Sequence, residues 1–100
     1  METNENIKYY ISLISKNEKG IMCIGYVDNM KTADMVVKAN VANIWQNAKY
    51  VVVEAVREGL FMYDENPTFY TRSSETSAKK LKNPPKSFKG KYGLGFGIKL

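Results

Sequence analysis

The chain contains no histidine. That absence removes histidine acid–base catalysis, the Ser-His and Cys-His nucleophile pairs, and most zinc sites. Cys23 is the only cysteine, so neither an intrachain disulfide nor a thiolate metal cage can form. It sits in the apolar run Ile21-Met22-Cys23-Ile24 and reads as a buried, inert thiol suited to a reducing cytosol. No apolar run approaches the length needed to span a bilayer, so no membrane partner is expected. The opening Met1-Glu2-Thr3-Asn4-Glu5-Asn6 is acidic and polar, unlike a signal or transit peptide. No phosphate loop of the Gly-x-x-x-x-Gly-Lys-Ser/Thr type is present. The glycines Gly90, Gly93, Gly95 and Gly97 have the spacing of a dinucleotide site but lack its strand-to-helix context. No cofactor or metal is expected.

Arginine is scarce as well, with two against thirteen lysines and nine asparagines. That mix resembles the coding bias of an AT-rich genome. It also lacks the planar fork that base and phosphate recognition favours. The charge is unevenly spread. Residues 1–70 carry seven cationic and nine anionic side chains, a net −2, and residues 71–100 carry eight and one, a net +7. A basic end on a slightly acidic body points to a polyanionic partner.

One hundred residues with 44% hydrophobic content argue for one globular core with stability of order 5–10 kcal/mol. Ile7 to Ser15 alternates Ile7, Tyr9, Ile11 and Leu13 with Lys8, Tyr10 and Ser12, the period of a strand. A polar turn over Lys16–Gly20, with Gly20 supplying positive φ, leads to a returning strand over Ile21–Val27. Gly25 within it marks a bulge or a close backbone approach. Thr32 or Asp28 is the expected N-cap of a helix with Asp34 in its first turn. Ala33, Val37, Val41, Ile44 and Ala48 form one helical stripe, and Trp45 borders it. Tyr50–Val56 reads as a central strand. A turn at Arg57-Glu58-Gly59 starts a return that Asp64-Glu65-Asn66-Pro67 interrupts and Thr68–Arg72 resumes; Pro67 implies an edge strand or a second turn.

The expected architecture is α+β: an antiparallel sheet with one packed helix in the order β-β-α-β-β, then a C-terminal strand after a basic linker. Its core comprises the stripe with Ile11, Leu13, Ile24, Val51 and Val53. Residues 1–72 form the core domain. Residues 73–87 are a basic linker or a short helix capped by Ser73 or Ser74 and stopped by Asn83-Pro84. Residues 88–100 form a strand in which Tyr92, Leu94, Phe96, Ile98 and Leu100 alternate with Lys91, Gly93, Gly95, Gly97 and Lys99.

The carboxylates Glu54, Glu58, Asp64 and Glu65 are candidates for acid/base or hard-metal chemistry, but turn chemistry accounts for most of them and a solvent-facing Glu54 for the rest. The stronger candidates are cationic and aromatic: Lys79, Lys80, Lys82, Lys86, Lys89, Lys91, Tyr92, Phe96 and Lys99. Lysines follow a phosphate backbone and exposed aromatics stack on bases. Alternatively Tyr92, Phe96 and Ile98 fill this chain's own core, or the final strand is donated to a partner or exchanged with a second copy.

The stretch Lys49-Tyr50-Val51-Val52-Val53-Glu54-Ala55-Val56-Arg57-Glu58-Gly59-Leu60-Phe61, followed by Phe69-Tyr70, resembles small uncharacterised proteins of low-GC Gram-positive bacteria and their phages. The resemblance covers about a third of the chain, says nothing of residues 73–100, and implies a compact two-strand, helix, two-strand unit without any activity or cofactor. The expected function is a non-enzymatic binding or regulatory protein of the cytoplasm, of phage or plasmid origin. It contacts a macromolecule through its basic C-terminal region, with nucleic acid as the alternative partner.

Overall fold

The computed structural model describes residues 7–57, 62–63, 67–74 and 77–88. The fold is α+β, an antiparallel sheet packed by helical segments. β1 (Ile7–Ser15) and β2 (Ile21–Val27) form a hairpin. Helix α1 spans Met30–Lys38, and a 3-10 segment over Val41–Asn47 leads into β3 (Ala48–Arg57). Then come β4 (Met62–Tyr63), β5 (Thr68–Ser74) and β6 (Ser77–Lys80). Strand order is β2-β1-β3-β5-β6, with β4 against the end of β3. β4 and β5 share one flank of β3, Tyr63 opposite Val56 and Tyr70 opposite Val51. They are two pieces of one interrupted return, as Pro67 implies. Pro67 does not mark an edge, because β6 pairs beyond β5.

The hairpin turn obtains its positive φ at Glu18 (61°), not at Gly20. Ser15 closes it: its backbone N–H donates to the Gly20 carbonyl at 2.9 Å, and its hydroxyl accepts from the Gly20 N–H at 2.9 Å. In β2 the register slips, with Cys23 opposite Ser12 but Gly25 opposite Ile11, so Ile24 is the extra residue of a bulge. Gly25 has φ 151° there, and a Cβ would meet nothing within 4 Å. The requirement for glycine is therefore conformational, not spatial. The bulge turns Ile24 outward, 41% exposed, and removes it from the expected core.

Asn29, not Thr32 or Asp28, caps α1: its Oδ1 accepts from the Thr32 N–H at 2.8 Å. Asp34 thus lies beyond the first turn. The helix is also shorter than its stripe. Asn40 turns left-handed (φ 52°), and Ala42 and Asn43 follow at φ 55° and 57°. Asparagine tolerates that conformation and bonds locally; Asn40 Oδ1 accepts from the Trp45 N–H at 3.0 Å. After the break Ile44, Trp45 and Ala48 return to the core, while Val41 is 47% exposed. Trp45 is buried, and its Nε1–H donates to the Val37 carbonyl at 2.9 Å. It sits within the core, adding a second and shorter bond to a carbonyl near the C-terminal end of α1 that also accepts from the Asn40 N–H at 3.3 Å.

Strand alternation divides the core between two faces. Ile11, Val51, Val53 and Tyr70 meet Ala33, Val37, Ile44 and Trp45 on the helix face, with Leu13 packed alongside. Ile14, Val52 and Phe69 meet Phe88 on the second face. Phe88 ends a 3-10 turn, Lys86–Phe88, with its N–H bonded to the Pro85 carbonyl at 2.9 Å. Its ring stacks on Phe69, centroids 6.0 Å apart. The expected strand therefore does not start at Phe88. The remainder of that segment, 89–100, lies outside the described residues. Glu54 is fully buried in β3 opposite Tyr10, not turned to solvent. Among the described residues no helix is long and apolar enough to cross a membrane.

Candidate functional site

The expected linker or short helix at 73–87 contains β6. Tyr70 pairs with Lys80, Thr71 with Lys79 and Arg72 with Ala78, and the Leu81 N–H extends the pairing to the Phe69 carbonyl at 2.8 Å. Successive strand residues point to opposite faces. Ala78 packs on the helix-face core, so Lys80 shares that face and Lys79 takes the other. Two lysines adjacent in sequence are thus separated by the thickness of the sheet. Lys79, Lys80, Lys82 and Lys86 are all exposed. Lys89, Lys91, Tyr92, Phe96 and Lys99 lie outside the described residues.

On the helix face Lys80 joins a cluster that sequence reasoning missed. Asp34, from α1, receives the Tyr70 hydroxyl at 2.8 Å. Lys38 Nζ lies 3.4 Å from Asp34 Oδ2 and Lys80 Nζ 3.9 Å from Oδ1. The i, i+4 spacing of Asp34 and Lys38 was the only local signal; the contacts to Tyr70 and Lys80 come from the sheet. Burial pushes the Asp34 carboxyl up, but the Tyr70 hydroxyl and the two lysines outweigh it and hold the group below the ordinary range. Burial and the adjacent Asp34 charge together raise the Tyr70 hydroxyl well above its usual value. The cluster ties α1 to β5 and β6.

Its pH behaviour follows. The depressed Asp34 contributes stability that is complete above about pH 4, its unfolded value, and is lost as pH falls through the lower folded value. The raised Tyr70 contributes stability that is complete below about pH 10 and is lost as pH rises through the higher folded value. Tyr70→Phe is expected to cost about 1 kcal/mol at neutral pH and to flatten the alkaline limb; Asp34→Asn flattens the acid limb. Urea titrations across pH check both, and unchanged limbs would refute the assignment.

Among the described residues no three His, Cys, Asp or Glu side chains gather as a metal site. Glu54 is buried, and Glu58, Asp64 and Glu65 lie outside the described residues. Cys23 is half-buried, its Sγ 3.8 Å from the Gly25 carbonyl. Among the described residues, the aromatics close to the lysine edge, Phe69, Tyr70 and Phe88, are buried. No protein-family model matches this chain, and no curated protein or solved structure is significantly similar to it.

Proposed function

We propose that this chain is a non-enzymatic binding protein that meets an acidic protein surface through its basic C-terminal region. One observation carries the reading: Lys79, Lys82 and Lys86 are exposed along and just beyond β6, and none pairs with a carboxylate among the described residues. Lys80 is the exception, partly neutralised by Asp34. Exposed like charges clustered at and beyond a sheet edge attract an oppositely charged surface. Nucleic acid is the alternative partner. It is less favoured because, among the described residues, the aromatics beside this edge are buried, so none of those offers the stacking platform that single strands use. The single cysteine, with no disulfide to form, suits a cytoplasmic setting.

The test is a titration with polyglutamate and with a single-stranded oligonucleotide, at low salt (about 20 mM) and at about 150 mM. Polyglutamate is expected to bind at low salt, and Lys79→Glu/Lys82→Glu/Lys86→Glu to abolish binding while leaving the thermal melt unchanged. Saturable oligonucleotide binding at the higher salt would favour nucleic acid. Binding of neither probe at low salt would overturn the proposal.

A further inference from the structure

The sheet's two edges differ in chemistry. Among the described residues β6 is one edge and bears Lys79 and Lys80; charged edges resist pairing with further strands. The other edge, β2, pairs with β1 alone among the described residues. It carries no charge from Ile21 to Val27. Met22, Ile24 and Tyr26 are 64%, 41% and 56% exposed. Its ends are oppositely charged, with exposed Lys19 before the strand and exposed Asp28 after it.

We propose that β2 pairs antiparallel with β2 of a second copy. In an antiparallel pair of identical strands, the basic flank of each meets the acidic flank of the other, and the uncharged centre meets itself without like-charge conflict. The same operation on β6 sets lysines against lysines. One register satisfies both charge and pleat. It places Cys23 beside the second copy's Ile24, Met22 beside Gly25, Ile21 beside Tyr26, and Lys19 beside Asp28, each contact occurring twice. Ile21 and Tyr26 both lie on the second face, opposite Ile14 and Tyr10, and Met22 and Gly25 both lie on the helix face, opposite Leu13 and Ile11. A shift of one residue in either direction sets side chains of opposite faces against each other. The bulge reconciles the two halves of the strand: were Ile24 an ordinary paired residue, Tyr26 would fall on the helix face. Asp28 also accepts from Lys8 Nζ at 2.7 Å, yet its side chain is 76% exposed, leaving its second oxygen open to another cation.

Sedimentation across a concentration series tests the pairing in the full chain. Wild type is expected to show a reversible monomer–dimer equilibrium that Ile24→Lys abolishes, with the thermal melt of the monomer retained. Lys19→Asp and Asp28→Lys are each expected to weaken self-association about tenfold, because two attractive pairs become two repulsive ones. Mixed together, those two variants restore both pairs and form a heterodimer at near wild-type strength, an outcome that mere loss of the Lys8 bridge cannot produce. Three results would overturn the proposal. One is a wild type monomeric at every concentration, including a monomer whose β2 amides are covered by its own residues 91–100. The others are an Ile24→Lys dimer as tight as wild type, and mixed variants no tighter than either alone. This edge is remote in strand order from β6, so polyanion binding can fail while dimerisation stands, and the reverse.

Discussion

Trp45→Ala is expected to lower stability by about 3–5 kcal/mol, the largest loss from any single truncation in this fold. The indole is 3% exposed and packed between the broken end of α1 and the helix face of the sheet. Truncation opens a cavity that flanking residues fill poorly, because Ile44 and Ala48 are fixed in the segment leading into β3. It also removes the shorter of the two hydrogen bonds to the Val37 carbonyl, which keeps only the 3.3 Å bond from the Asn40 N–H. A chain of this length has of order 5–10 kcal/mol in total, so the variant lies close to unfolding at room temperature. The melting temperature is expected to fall by roughly 15–30 °C. Trp45→Phe keeps most of the volume and loses the N–H, and should cost about 1–2 kcal/mol. Urea unfolding followed by far-ultraviolet circular dichroism measures both. A loss below about 1 kcal/mol for Trp45→Ala would show that the indole is not enclosed as described.

Phe88→Ala is expected to cost about 3 kcal/mol. The residue follows the last described strand, yet it is 5% exposed and caps Ile14, Val52 and Phe69 on the face opposite α1. Pro84-Pro85 restricts the lead, since each ring fixes its φ and constrains the residue before it. The short turn then delivers the ring to Phe69. Trp45 lies on the other face, so its emission in the native variant should be unchanged while the unfolding midpoint falls. Phe88→Leu should recover about half of the loss, since it refills part of the volume. Wild-type stability in Phe88→Ala would mean that the second face is closed without this ring.

How far these features were legible from sequence depended on whether the deciding force was local. The first hairpin is legible with its observed bounds, because period-two alternation flanking a polar turn is a local signal. The central position of β3 followed from two apolar faces in one run. Periodicity alone makes the helix too long, since Ala33, Val37, Ile44 and Ala48 do reach the core and only the asparagines between them disclose the break. Alternation places Ile24 inside because a bulge reverses parity, and nothing beyond Gly25 announces one. β6 was missed for a different reason. Ser77-Ala78-Lys79-Lys80 has poor strand propensity and no alternation of polarity, and its pairing with β5 overrides both. The candidate site suffered from the same strand. The lysines were visible as a cluster along the chain, but β6 sends Lys79 and Lys80 to opposite faces. The tie from Lys80 to Asp34 and Tyr70 is long-range and had no local signature.

β1 is an interior strand, bonded to β2 on one flank and to β3 on the other. Ile7 aligns with Arg57. On the ribosome the first hairpin and the helix emerge well before that second flank has its mate. At about 5–20 residues per second, Ile11 and Leu13 wait a few seconds beside a row of unclaimed amides and carbonyls. For that interval the nascent chain offers a ready template to any extended polypeptide nearby. Slowing translation between Val27 and Ala48 should therefore increase its demand for holding chaperones.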